Sequence, residues 1–119
     1  MSETIKYTLE IILDHINVCE KRFSEIKESS DFINTEYGNT LLDAIVARLQ
    51  AVGENIKRIN KNYPHLESKY PEIEWQKIIL FRDFISHHYE KLDYELIFDI
   101  CKADLPKLKT VIEKEIKNY

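Results

Sequence analysis

Glycine and proline are scarce. The chain has 2 Gly and 3 Pro among 119 residues, where ordinary usage would give roughly 12% of the two together. Tight turns depend on these residues, so the elements must be long and the turns few. A sandwich or barrel of many short strands is excluded. So are the dinucleotide fingerprint and the phosphate-binding P-loop, which need clustered glycines; Gly38 and Gly53 stand 15 positions apart. Cysteine is also rare. Cys19 and Cys101 cannot build a disulfide framework, and a reducing cytoplasm is the expected location. No run of 18 apolar residues is present, so no membrane-spanning helix is expected. The stretch from Met1 to Lys6 lacks the basic and apolar regions of a signal peptide. Positive charge is in deficit too: 17 Lys and Arg against 21 Asp and Glu give a net charge of −4. Proteins that hold nucleic acid through bulk charge are usually basic, so any such role here must rest on a local site.

What is present is helical periodicity. Hydrophobic residues make up 44% and charged residues 32%, a folded composition. Ile5, Leu9, Ile12, Ile16, Cys19, Phe23 and Ile26 recur at steps of 4 and 3 and predict one amphipathic helix over 3–29. Cys19 lies on that stripe and reads as a small core residue. Ser29 to Asn39 breaks the pattern with cap and loop residues. Leu42, Ile45, Leu49, Val52, Ile56 and Ile59 then predict a second helix, from about Glu36 or Thr40 to Lys61. Asn62-Tyr63-Pro64 ends it, and residues 65–70 make at most one short turn before Pro71. A third helix is expected from about Ile73 to His87, apolar on all sides through Ile78-Ile79-Leu80-Phe81, Phe84 and Ile85. One explanation for that excess of apolar surface is a helix wedged between the core and a second subunit. Asp93 reads as the N-cap of the next helix, and Asp104-Leu105-Pro106 as the start of a last one. The sum is one domain, 1–119: an all-α, antiparallel bundle of four or five helices.

The candidate chemistry concentrates in Phe81-Arg82-Asp83-Phe84-Ile85-Ser86-His87-His88-Tyr89-Glu90. On a helix, Arg82, Ser86 and Tyr89 share one face, and Asp83 and His87 share another. A charged Arg among apolar neighbours needs a partner or a ligand. On the residues alone, a helix-end ion pair between Arg82 and Asp83 or another carboxylate serves as well as a binding site. Elsewhere, no His follows a Glu by three residues, so the di-iron pattern of helical bundles fails. His15 and Cys19 form an i, i+4 pair without further ligands and read as a rim histidine beside a core cysteine. No metal and no cofactor is expected. His65 sits in a polar turn and reads as a surface residue.

The spacing Arg82-x4-His87-x-Tyr89 resembles the R-x4-H-x-Y signature of the HepT-like toxin family within the HEPN superfamily. Further segments resemble the family in the same order. They are Ala47 to Glu54, with Gly53-Glu54, then Tyr70-Pro71 with Trp75, and finally Leu92 to Ile97 and Asp104 to Leu108. Asp83 stands where Asn is frequent, and Asn55 where a small residue is usual. The resemblance implies a HEPN-like homodimer whose motif helices face each other. It implies a metal-independent endoribonuclease, acting on RNA as the toxin of a type VII-like toxin–antitoxin pair. The implied partner is a minimal nucleotidyltransferase that silences the toxin by transferring AMP to Tyr89. Arg82 and His87 are then the catalytic residues, with Asp83 and Tyr89 in support. Around the motif, four basic residues (Lys69, Lys77, Arg82 and Lys91) are matched by four acidic ones. Doubling of Arg82 across a dimer, with Lys57, Arg58 and Lys61, would have to supply a basic groove. The alternative is a non-catalytic subunit that presents a nucleotide or another substrate to a nucleotidyltransferase, which suits the acidic net charge.

Overall fold

The two long apolar stripes pack on each other. In the computed structural model, which describes residues 2–63, 65–80 and 93–119, the first stripe lies on α1 (Ser2–Phe23). The second lies on α3 (Glu36–Asn62). Ile5, Leu9, Ile12, Ile16 and Cys19 on one helix, and Leu42, Ile45, Leu49, Val52, Ile56 and Ile59 on the other, are all buried. Three contacts fix the direction. Arg22 reaches the Ala44 carbonyl, Cys19 the Ile45 carbonyl, and His15 meets Arg48. Numbers fall on one helix as they rise on the other, so the pair is antiparallel.

Between them lies α2 (Asp31–Asn34). Beyond α3 come α4 (His65–Lys69), the helical residues 75–80, here α5, α6 (Tyr94–Asp99) and α7 (Leu105–Ile116). A π-helical turn, Ile100–Asp104, joins the last two. Among the described residues there is no strand; the protein is an all-α bundle. α7 closes the core with Leu105, Leu108, Val111 and Ile112, and is tied to α1 by Lys109 and Glu20 at 2.8 Å.

Three expectations are corrected. The periodicity predicts helix as far as residue 29, but α1 stops at Phe23. Beyond it the Asp31 carboxylate accepts the Lys27 and Glu28 N–H groups at 2.8 and 3.1 Å, a local bond that competes with helix. Ile26 stays buried outside any helix. The second correction is the break from Ser29 to Asn39. It contains α2, whose Phe32 is completely buried. Gly38 belongs to the first turn of α3, where its N–H bonds to the Thr35 hydroxyl at 2.9 Å. A Cβ at Gly38 would run into the Asp31 backbone carbonyl, so the close crossing of α2 over α3 requires glycine there.

The third correction concerns Asp104. The helix does not start there; it runs on from Tyr94 to Ile116. Pro106 offers no N–H, and its ring crowds the carbonyl four residues back. The wider π turn absorbs that misfit, with the Leu105 N–H bonded to the Ile100 carbonyl. Asp104 makes no cap and instead takes the Lys77 ammonium at 2.9 Å.

Candidate functional site

The segment leading to the motif is braced before it becomes helical. Tyr70 is buried between α4 and α7, and its hydroxyl donates to Glu115 Oε2 at 2.7 Å. Lys69 pairs with the same carboxylate at 3.2 Å, and Asn118 Nδ2 donates to its Oε1 at 3.4 Å. The Trp75 indole N–H then donates to the Tyr70 carbonyl at 2.8 Å, fixing the first residue of α5. This brace explains why Tyr-Pro and Trp occur together: the turn at Pro71 returns Trp75 to the carbonyl that Tyr70 presents.

The brace is also a charge device. Burial pushes the Glu115 carboxyl up, but hydrogen bonds from Tyr70, Lys69 and Asn118, with the Lys69 charge, outweigh it and leave the pKa below the ordinary 4.5. Tyr70 is pushed up to about 12 by burial and by its bond to Glu115. A lowered carboxyl pKa gives stability above its unfolded value, lost as pH falls through the folded one. A raised tyrosine pKa gives stability below its unfolded value, lost as pH rises through the folded one. Thermal melts should therefore show a plateau with losses at both ends. Glu115→Gln should flatten the acid limb below about pH 4.5, and Tyr70→Phe the alkaline limb above about pH 10.

α5 is held against the bundle by Lys77, which bridges Asp104 at 2.9 Å and Glu74 at 3.7 Å. Ile78 shares a small apolar cavity of about 20 Å³ with Leu49, Val52, Ile100, Leu105 and Leu108. Ile79 is buried, whereas Leu80 is 58% exposed. The chain is described again at Asp93, which caps α6 as expected. Its Oδ1 accepts the Glu95 and Leu96 N–H groups at 3.0 and 3.1 Å.

Arg82, Asp83, Ser86, His87, His88 and Tyr89 lie outside the described residues, as do Phe81, Phe84 and Ile85. What the structure gives is the frame around the motif: α5 before it, the Asp93 cap after it, and α3 alongside α5. On α3, Gly53 is buried, while Lys57, Arg58 and Lys61 are exposed. His65 is exposed, as expected. Asn55 is buried and donates to the Ala51 carbonyl at 2.8 Å.

The rim pair also behaves as expected. His15 meets Arg48 at 3.1 Å, and its pKa is lowered by burial and then by the Arg48 charge. Cys19 is completely buried, and its thiol is pushed up to about 12 by burial. Among the described residues, no three His, Cys, Asp or Glu side chains are grouped to hold a metal ion. None of the described helices is long and apolar enough to cross a membrane. The Tyr70–Glu115 contact escapes sequence reasoning, because its partners lie 45 residues apart and neither residue type announces the other.

Comparison with known proteins identifies a family. Residues 12–115 match the family described as ribonuclease HepT-like. The chain belongs to the HepT-like ribonuclease family. Its curated relatives in Methanocaldococcus jannaschii include "Gamma-glutamylcyclotransferase and putative RNase MJ0434", 31% identical over 96% of this HepT-like chain and 48% of the relative. Another is "Putative RNase MJ1216", 32% identical over 92% of the chain and 82% of the relative. The HepT-like chain thus spans about half of the first relative and most of the second. No solved structure matches it.

Proposed function

We propose that this chain is an endoribonuclease that cuts RNA without a metal, with Arg82 and His87 at the reacting phosphate. The observation that carries the proposal is Arg82-x4-His87-x-Tyr89 in a member of a ribonuclease family. RNA contains its own nucleophile, the 2′-OH. As that oxygen attacks phosphorus, it must lose a proton, and the departing 5′-oxygen must gain one. His87 suits both transfers, because an unperturbed imidazole titrates near pH 6.5. Arg82 suits the crowded phosphorane: its planar fork bonds two phosphoryl oxygens and keeps its charge. Asp83, four residues before His87 in sequence, orients the imidazole or holds Arg82 in this proposal. The products are a 2′,3′-cyclic phosphate and a 5′-OH.

The active unit in this proposal is a homodimer of single-domain chains. Leu80, a large apolar side chain that is 58% exposed on α5, supports a second subunit on this face. The partner is a minimal nucleotidyltransferase antitoxin. AMP on Tyr89 would place a bulky anion where RNA phosphate must sit, and block it by size and by like charge.

Induction of the chain alone should arrest growth, and the arrest should require Arg82 and His87. Intact mass after co-expression with the nucleotidyltransferase should rise by AMP increments, absent from Tyr89→Phe. Harmless expression without the partner would instead support a non-catalytic nucleotide-binding subunit, the reading that the net charge of −4 favours.

A further inference from the structure

Three lysines carry all the ion pairs found among the described residues: Lys69, Lys77 and Lys109. The described arginines are used differently: the exposed Arg58 donates to Asn55 Oδ1 on its own helix, and the other two reach between α1 and α3. Arg22 Nη1 donates to the Ala44 main-chain carbonyl at 3.2 Å, and Arg48 Nη1 meets His15 Nδ1 at 3.1 Å. Both arginines are half-buried, and neither has a carboxylate within ion-pair distance among the described residues. Ala44 and Arg48 are one turn apart on α3, and His15 and Arg22 two turns apart on α1, so both guanidinium groups lie along the same α1–α3 seam. Both charges act on the same thiol, that of Cys19.

Two half-buried cations with no carboxylate in ion-pair range keep donors available for an anion. Each guanidinium has five N–H donors, and a single one is used here. The imidazole adds another. With Nδ1 accepting from Arg48, the neutral ring carries its proton on Nε2, which is free to donate. Asp14, exposed beside His15, is the carboxylate whose charge reaches the imidazole.

We propose that Arg22, Arg48 and His15 form a pair of phosphate contacts on the α1–α3 seam that grip the RNA backbone. The seam lies on the flank of α3 toward α1. Such contacts position the strand and carry no sequence information. It also answers the acidic net charge, because the binding charge is local. The inference rests on RNA being the substrate, but not on Arg82 or His87.

The test is binding of a fluorescent 2′-O-methyl oligoribonucleotide, which cannot be cut, measured by anisotropy across salt concentrations. Arg22→Gln/Arg48→Gln should weaken binding roughly tenfold at low salt. It should also flatten the dependence of log K on log salt by about 1.4, at about 0.7 per lost phosphate contact on a single strand. Arg22→Lys/Arg48→Lys should keep the steep slope. If the double Gln variant does not fold, each single one should lose about half the slope change. Unchanged affinity and slope in the folded Gln variants would overturn the proposal. So would a response of the His15 ring signals to inorganic phosphate with RNA binding unaltered, since the seam would then hold a small phosphate. Weakened binding in a chain that never cuts RNA would count against the nuclease reading alone.

Discussion

His87→Ala should lose RNA cleavage by roughly 10²- to 10⁴-fold, the usual contribution of a positioned acid–base group. His88→Ala should stay close to wild type, because the spacing to Arg82 and Tyr89 selects His87. The comparison discriminates, since the two histidines are neighbours of identical chemistry. A surface role for the pair would make the variants alike. Arg82→Ala should fall by at least as much, through loss of charge at the phosphorane. Arg82→Lys should recover little of it, because an ammonium keeps the charge but not the fork that bonds two oxygens. Cleavage of a labelled single-stranded RNA, followed in single turnover, separates these rates from any change in binding.

Phe32→Ala should cost about 3–5 kcal/mol of folding stability, the range for a buried Phe reduced to Ala. Phe32 has no exposed surface, and its ring lies 6.4 Å from that of Phe23, which in turn meets Phe98 at 5.2 Å. It therefore joins α1, α2 and α6 from the middle of a four-residue helix. The neighbours cannot collapse into the gap easily, because Gly38 already brings α2 and α3 into backbone contact. A domain of this size is held by roughly 5–15 kcal/mol, so the loss should show as a large fall in melting temperature and in urea midpoint at unchanged slope. Ile33→Ala, one residue along and 46% exposed, is the control and should shift either value little.

The contrast between Phe32 and the long helices shows what a sequence makes legible. The stripes of α1 and α3 are repeated signals: six or seven residues each vote for the same face, and the fold class follows from them. Phe32, with Ile33 beside it, stands among Ser, Asp and Asn, with no period to belong to. Its burial is decided by Gly38 letting two backbones touch. Asp104 misleads for the opposite reason. Asp-Leu-Pro is sound chemistry for a helix start, yet helix already arrives from Tyr94 and passes through a π turn into α7. The brace of Tyr70 on Glu115, and the contacts of Arg22 with Ala44 and of Arg48 with His15, are set by tertiary packing across 45, 22 and 33 positions, which local patterns do not encode. The candidate catalytic residues were legible by the reverse route. Arg82, His87 and Tyr89 stand out through the spacing of a motif, whereas the net charge of −4 says only that a nucleic-acid role must rest on a local site.

The central claim is cleavage by the RNA's own hydroxyl. It is tested most directly by incubating the purified chain with a defined RNA in EDTA and analysing the new ends. The account predicts fragments ending in a 2′,3′-cyclic phosphate and beginning with a 5′-OH, formed at an undiminished rate under chelation and absent with His87→Ala. Fragments carrying 5′-phosphate, a reaction stopped by EDTA, or wild-type cutting by His87→Ala would contradict it.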